Sequence, residues 1–121
     1  MTNGNINVTF LAMIVVKEYI NSKGQSPYAK WFNRLNVVAA AKVATALIRM
    51  EQGNSSNSKR LGSGVLEYRI DFGPGYRIYF GRDGDRIVIL LGGGTKKRQQ
   101  SDIENAKVLW KEYKRRKRQE G

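Results

Sequence analysis

From Val65 onward the apolar residues recur at every second position. Leu66, Tyr68, Ile70 and Phe72 share one face of an expected strand, with Glu67, Arg69 and Asp71 on the other. Gly73-Pro74-Gly75 turns the chain, and Tyr76, Ile78 and Phe80 then alternate with Arg77 and Tyr79. Asp83-Gly84 marks a hairpin, and Arg86–Leu91 reads as a continuous apolar strand for the middle of a sheet. Upstream, the β-branched run Met13–Ile20 reads as a first strand. Ser26-Pro27 supplies an N-cap and a proline at the first helical position. Tyr28, Trp31, Phe32 and Leu35 then fall at i, i+3, i+4 and i+7 on one helix stripe. A second helix is expected from about Asn36 to Gln52, with Ala40, Ala44, Leu47 and Ile48 on one side and Gly53-Asn54 as its C-terminal cap. The tight joint between the two predicts an αα-hairpin.

Asn54–Ser58 reads as a polar loop. Ser101-Asp102-Ile103-Glu104 reads as a capping box that opens a last helix. Ile103, Ala106, Trp110 and Tyr113 line one side of that helix, and Lys107, Lys111, Lys114, Arg115 and Arg118 line another. The class is α+β: a small, mainly antiparallel sheet with an N-terminal αα-hairpin and a C-terminal helix, in the order β-α-α-β-β-β-α. Residues 1–12 read as a poorly defined N-terminal extension, 13–118 as a single domain and 119–121 as a tail.

Composition narrows the chemistry. A chain of 121 residues, 40% hydrophobic and 26% charged, is sized for one globular core. No apolar run approaches the ~20 residues that cross a bilayer, and Phe10–Val16 is too short and lacks the basic n-region of a secretory signal, so a cytoplasmic location without membrane contact is expected. The chain has no cysteine and no histidine, which removes disulfides, thiolate chemistry and the usual zinc ligands. Neither a metal nor another cofactor is expected. The net charge of +12 calls for a polyanionic partner. The excess is lopsided, because Lys96, Lys97, Arg98 and the basic residues of the last helix all lie beyond Gly92-Gly93-Gly94.

If the meander forms, Arg69 and Arg77 project from adjacent strands on the face opposite the apolar one. Lys96 and Lys97 leave the last strand after the glycine run, which reads as a flexible exit where backbone can approach a ligand. Lys59 and Arg60 border the same surface, and Tyr79 shares the face of Arg77, placed to stack on a base. Arg69 can equally pair with Glu67 or Asp71. The glycine run fits neither the P-loop nor the dinucleotide fingerprint, and Trp31 and Trp110 read as core.

The run Leu66-Glu67-Tyr68-Arg69-Ile70-Asp71-Phe72-Gly73-Pro74-Gly75-Tyr76-Arg77-Ile78-Tyr79-Phe80, followed by Leu91-Gly92-Gly93-Gly94-Thr95-Lys96-Lys97, resembles the RelE/HigB-type toxins, in the branch labelled addiction module killer protein. The likeness extends upstream through Ser26-Pro27-Tyr28-Ala29-Lys30-Trp31-Phe32 and downstream to Ala106-Lys107. It implies the toxin of a type II toxin–antitoxin module that cleaves mRNA, mostly in the ribosomal A site, and is silenced by a co-expressed antitoxin. It implies catalytic roles for Arg77, Arg69, Lys96 and Lys97. Lys59, Arg60, Tyr79, Arg98, Lys107, Lys111, Lys114, Arg115 and Arg118 form the expected RNA- and ribosome-binding set. Expected partners are the antitoxin, mRNA and the ribosome, with a monomer alone and a hetero-oligomer with antitoxin. Relatives often carry a late tyrosine or histidine, for which Tyr113 is the substitute here. Glu67 and Asp71 are carboxylate alternatives for proton transfer. A ParE-like inhibitor of DNA gyrase and a non-catalytic RNA-binding module are the competing readings.

Overall fold

The alternation that begins at Val65 becomes the centre of a five-stranded sheet in the computed structural model, which describes residues 13–121. The elements are β1 (Val15–Glu18), α1 (Pro27–Phe32), α2 (Val37–Glu51), β2 (Ser58–Gly62), β3 (Val65–Ile70), β4 (Tyr76–Asp83), β5 (Ile87–Thr95), a 3₁₀ turn (Lys96–Arg98) and α3 (Gln99–Glu120). The expected extension over residues 1–12 lies outside the described residues. Strand order is β1-β5-β4-β3-β2, antiparallel except for β1, which runs parallel to β5.

The sheet has one strand more than the pattern predicts. Ser58–Gly62 pairs with β3 through Lys59↔Glu67 and Arg60↔Leu66. Its residues do not alternate in polarity, so it is an edge held by backbone pairing and by Leu61, which packs against the core under α3. The link to β3 is made by Gly62, Ser63 and Gly64 in left-handed conformations, with φ of 93°, 57° and 82°.

The Ser26 cap forms as the sequence predicts, and Asn36, the expected start of the second helix, is its N-cap. Ser26 Oγ accepts from the Ala29 amide at 3.0 Å, and Asn36 Oδ1 accepts from the Ala39 amide at 2.9 Å. The buried stripe of α2 is not the expected one. Ala39, Val43, Ala46 and Met50 face the sheet, and Ile48 is 53% exposed. The two alanines bring the helix close to the strands while Val43 and Met50 fill the remaining space, which turns Ile48 to the flank.

Two cores result. On one side α1 and α2 pack Tyr28, Trp31, Val43 and Met50 against Tyr68, Tyr76, Ile78, Phe80 and Leu90. On the other, Ala106 and Trp110 of α3 pack against Tyr19, Val65, Tyr79, Ile89 and Leu91. The sheet face that the sequence leaves to ligands is therefore largely covered, and Tyr79 is core at 1% exposure.

The glycines of β4 and β5 make this layering possible. A Cβ on Gly81 would stand 2.5 Å from the Trp110 ring, and one on Gly93 would overlap the Trp31 ring. Gly92–Gly94 is thus paired strand, not a flexible exit, and Gly93 and Gly94 serve packing. α3 also begins two residues before the expected capping box. Ser101 Oγ donates to the Arg98 carbonyl at 3.2 Å and caps nothing, because the 3₁₀ turn already leads the chain into the helix.

Far from that start, Tyr113 donates to Asp83 Oδ2 at 2.5 Å, and Lys117 pairs with the same oxygen. Arg116 Nη2 donates to the Ile20 carbonyl at 2.7 Å, with its guanidinium 5.1 Å from the Tyr19 ring centroid. The end of α3 is pinned in this way to β1 and to the β4–β5 hairpin.

Two outcomes follow from this packing. Gly93→Ala should lower the urea midpoint by an amount equivalent to about 1–3 kcal/mol, the usual cost of forcing a side chain into a filled core. Gly92→Ala should stay near wild type, since a Cβ there meets nothing within 4 Å. The Asp83 carboxyl is held below its ordinary pKa by the hydrogen bonds from Lys117 and then Tyr113. Its contribution is complete above the unfolded value of about 4 and is lost as pH falls through the lower folded value. The difference in Tm between wild type and Asp83→Asn should therefore shrink on acidification below about pH 4.

Candidate phosphate-binding site

The site grows from the turn between β3 and β4. Gly73 and Gly75 take left-handed φ of 55° and 80°, which presents the Gly75 carbonyl to two donors. Arg77 Nη1 donates to it at 3.0 Å, and the Lys96 amide donates at 3.1 Å. One carbonyl thus fixes the Arg77 side chain and the point where the chain leaves β5. Arg69 and Arg77 are direct cross-strand partners.

Two guanidinium groups this close repel unless an anion separates them, and Glu67 supplies it. Its carboxylate is 0% exposed, with Oε2 3.5 Å from Arg69 Nε and Oε1 3.5 Å from Arg77 Nε. Gln99, at the start of α3, donates to Glu67 Oε1 at 3.0 Å. The arginine contacts are ionic and not hydrogen bonds, because Glu67 Oε2 and Arg77 Nε have no hydrogen-bond partner among the described residues. The two arginines differ in access. Arg77 is 5% exposed, whereas the Arg69 side chain is 52% exposed. The arrangement combines one desolvated, immobile cation with accessible ones, a combination suited to an anionic oxygen.

Lys96, Lys97 and Arg98 occupy the exposed 3₁₀ turn beside this pair. Lys59 lies opposite Glu67 and shares its face, but Arg60 lies opposite Leu66 and so belongs to the helix-hairpin side. Tyr79 is buried behind the site and is no stacking platform. On α3, Lys107 reaches toward Gly62, and Lys114 lies 5.9 Å from the Trp110 ring centroid. Arg115 is paired with Glu112 at 2.6 Å, which halves the free charge at that point of the stripe. Lys111 and Arg118 are exposed.

The carboxylate and tyrosine alternatives separate clearly. Glu67 is sealed between its partners, and Asp71 is exposed at the turn. Tyr113 sits at Asp83, six residues along β4 from Arg77, or about 20 Å at the usual strand rise. Burial and the Asp83 carboxylate push its hydroxyl up to about 12. Sequence reasoning missed Gln99 and Asp102. Gln99 meets Glu67 across 32 positions, and Asp102 stands directly over Gly94. Among the described residues no cluster of three or more acidic side chains is placed to hold a metal ion.

Residues 30–114 match the family described as "Phage derived protein Gp49-like (DUF891)", and the chain belongs to that family, which is associated with the toxins of toxin–antitoxin modules. The matched span takes in β2 to β5, both arginines, the 3₁₀ turn and most of α3. A Haemophilus influenzae protein described as uncharacterized is 38% identical over 94 residues, covering 77% of this chain and 95% of that protein. Among the described residues no helix is long and apolar enough to cross a membrane.

Glu67→Ala tests the core of the site. It leaves Arg77 buried without its counter-charge, so unfolding free energy should fall by about 3–5 kcal/mol in urea titration. Arg69→Ala, which removes an exposed partner, should cost less than about 1 kcal/mol.

Proposed function

We propose that the chain is a RelE/HigB-type toxin that cleaves mRNA on the ribosome without a metal. The observation that carries this reading is the pairing of Arg77 with Lys96 through the Gly75 carbonyl, beside the exposed Arg69. Such a set has the charge and rigidity to hold a phosphodiester. The 2′-hydroxyl oxygen attacks the adjacent phosphorus and releases its proton to solvent. The bond from phosphorus to the 5′ oxygen breaks, and that oxygen takes up a proton, leaving a 2′,3′-cyclic phosphate and a 5′-hydroxyl.

Arg77 stabilises the non-bridging oxygens from its desolvated position, where fixed charge acts most strongly. Arg69 captures the phosphate, and Lys96, with Lys97 next to it, faces the leaving oxygen. Glu67 orients the arginines and touches no substrate. Arg98, Lys107, Lys111, Lys114, Arg118 and Lys59 supply backbone affinity for RNA. The antitoxin is the protein partner of the module. The hairpin offers it a surface away from the arginines, where Val37 and Val38 are 85% and 55% exposed. The toxin acts in the cytoplasm, where its ribosomal substrate is found.

The near-complete burial of Arg77 is also what a ParE-like gyrase inhibitor would tolerate, since binding alone needs no reactive contact. Translating ribosomes with a defined mRNA, analysed by primer extension, separate the two. Wild type should give stops within codons, and Arg77→Ala, less stable but folded because Glu67 keeps Arg69 and Gln99, should cleave about 10²–10³-fold more slowly at a temperature where circular dichroism shows it native. Arg77→Lys should recover little, because it lacks the planar fork. Intact mRNA together with inhibited supercoiling by gyrase would move the chain to the ParE-like class.

A further inference from the structure

A cavity of about 340 Å³ opens between α1 and α3, over Gly92 and Gly93 of β5. It lies where β5 runs on past its pairing with β1, which ends at Leu90, and Trp31, Tyr79, Leu91 and Ala106 are among the residues that line it. Arg34 stands on one side, and Asp102 and Asn105 stand on the other. The Tyr79 hydroxyl is out of water and has no hydrogen-bond partner among the described residues. A molecule in the cavity does not reach that hydroxyl, which is a cost of the core and not part of the candidate site. Burial raises the pKa of Asp102 against the opposing effect of Arg98, so its carboxyl is partly withdrawn from solvent and ready to be paired.

The cavity adjoins the candidate phosphate site. Arg77 pairs with Gly94 and Tyr79 pairs with Gly92, so the two places are separated by two strand residues, or about 7 Å. Asp102, standing over Gly94, is the wall between them.

We propose that this cavity receives one unpaired RNA base beside the phosphate held by Arg69, Arg77 and Lys96, and that it prefers a base bearing an exocyclic amine. A planar ring fits beside the Gly92–Gly93 backbone against the Trp31 indole, as single-stranded RNA readers use aromatic side chains. The Asp102 carboxylate accepts from an amine, as at cytosine N4 or adenine N6, and Asn105 offers both a donor and an acceptor at the same edge. Uracil presents a carbonyl at the corresponding position and sets acceptor against acceptor. Arg34 lies at the side where the sugar and the next phosphate leave. An aliphatic ligand would leave Asp102 and Asn105 unpaired. The inference rests on the nuclease reading only for the identity of the neighbouring phosphate.

Binding is measured first, without reference to cleavage. Titration of the isolated protein with cytidine and uridine monophosphates, followed by NMR, should shift the Trp31 indole and the Asn105 amide, with cytidine bound about 5- to 150-fold more tightly. Gly92→Leu fills the cavity from a position where a Cβ meets nothing within 4 Å, so the protein should fold normally and lose those shifts. Asp102→Asn, which can donate to uracil, should bring the two nucleotides within a few-fold of each other. In ribosomal cleavage the wild-type profile should disfavour uracil at one position, and Asp102→Asn should flatten that bias while Arg77-dependent cleavage persists. Shifts confined to the residues around Arg77 and Lys96, or shifts unchanged in Gly92→Leu, would overturn the base pocket even if RNA is cleaved. Nucleotide binding at Trp31 and Asn105 with no RNA cleavage would instead sustain the pocket and remove the nuclease.

Discussion

One buried carboxylate governs the arrangement of this molecule. Glu67 lies at 0% exposure between the guanidinium groups of Arg69 and Arg77 and accepts a hydrogen bond from Gln99. Two like charges on directly opposed strand positions would otherwise repel and weaken the β3–β4 pairing. The same carboxylate reaches from the sheet to the start of α3, so the last helix, the meander and the basic site are tied at one point. Its desolvation is tolerable only because several positive or donating groups meet it at once.

Close approach of aromatic rings to glycine backbone sets the remaining geometry. Trp31 lies on Gly93 and Trp110 lies on Gly81, from opposite faces of the sheet. The absence of side chains at these points lets helices lie near both faces of a thin sheet, producing three layers from 109 described residues. Gly94 serves the same purpose for Asp102. The glycine run is therefore a packing device, and the cavity over Gly92 is the one stretch of it that no side chain fills.

The charge of the chain resolves into parts with different physical roles. Arg77 is buried and immobile, Arg69 and Lys96 are accessible beside it, and the α3 stripe is partly spent on the protein itself. Arg115 is paired with Glu112, and Lys117 with Asp83. Arg116 caps the Ile20 carbonyl. What remains free on the stripe, at Lys111 and Arg118, is a smaller field than its number of basic residues suggests, while the 3₁₀ turn keeps its charge beside the arginine pair.

Local pattern determined much of this protein. The period of two from Val65 to Phe80 set the meander and the shared face of Arg69 and Arg77, because strand side chains alternate whatever the partner. Ser26-Pro27 and Asn36 set both helix starts, since a cap needs only a side chain three residues from its donor. Tertiary structure decided the rest, where two distant segments had to meet. The β2 edge has no polarity signal, and it exists through its pairing with β3. Whether the Tyr79 face was open or covered depended on where α3 docked, and that was decided by Trp110 over Gly81 and Tyr113 on Asp83. The burial of Glu67, the contact with Gln99 and the stance of Asp102 over Gly94 all depend on that docking. Periodicity along a chain carries the face a residue points to, but not what lands on that face.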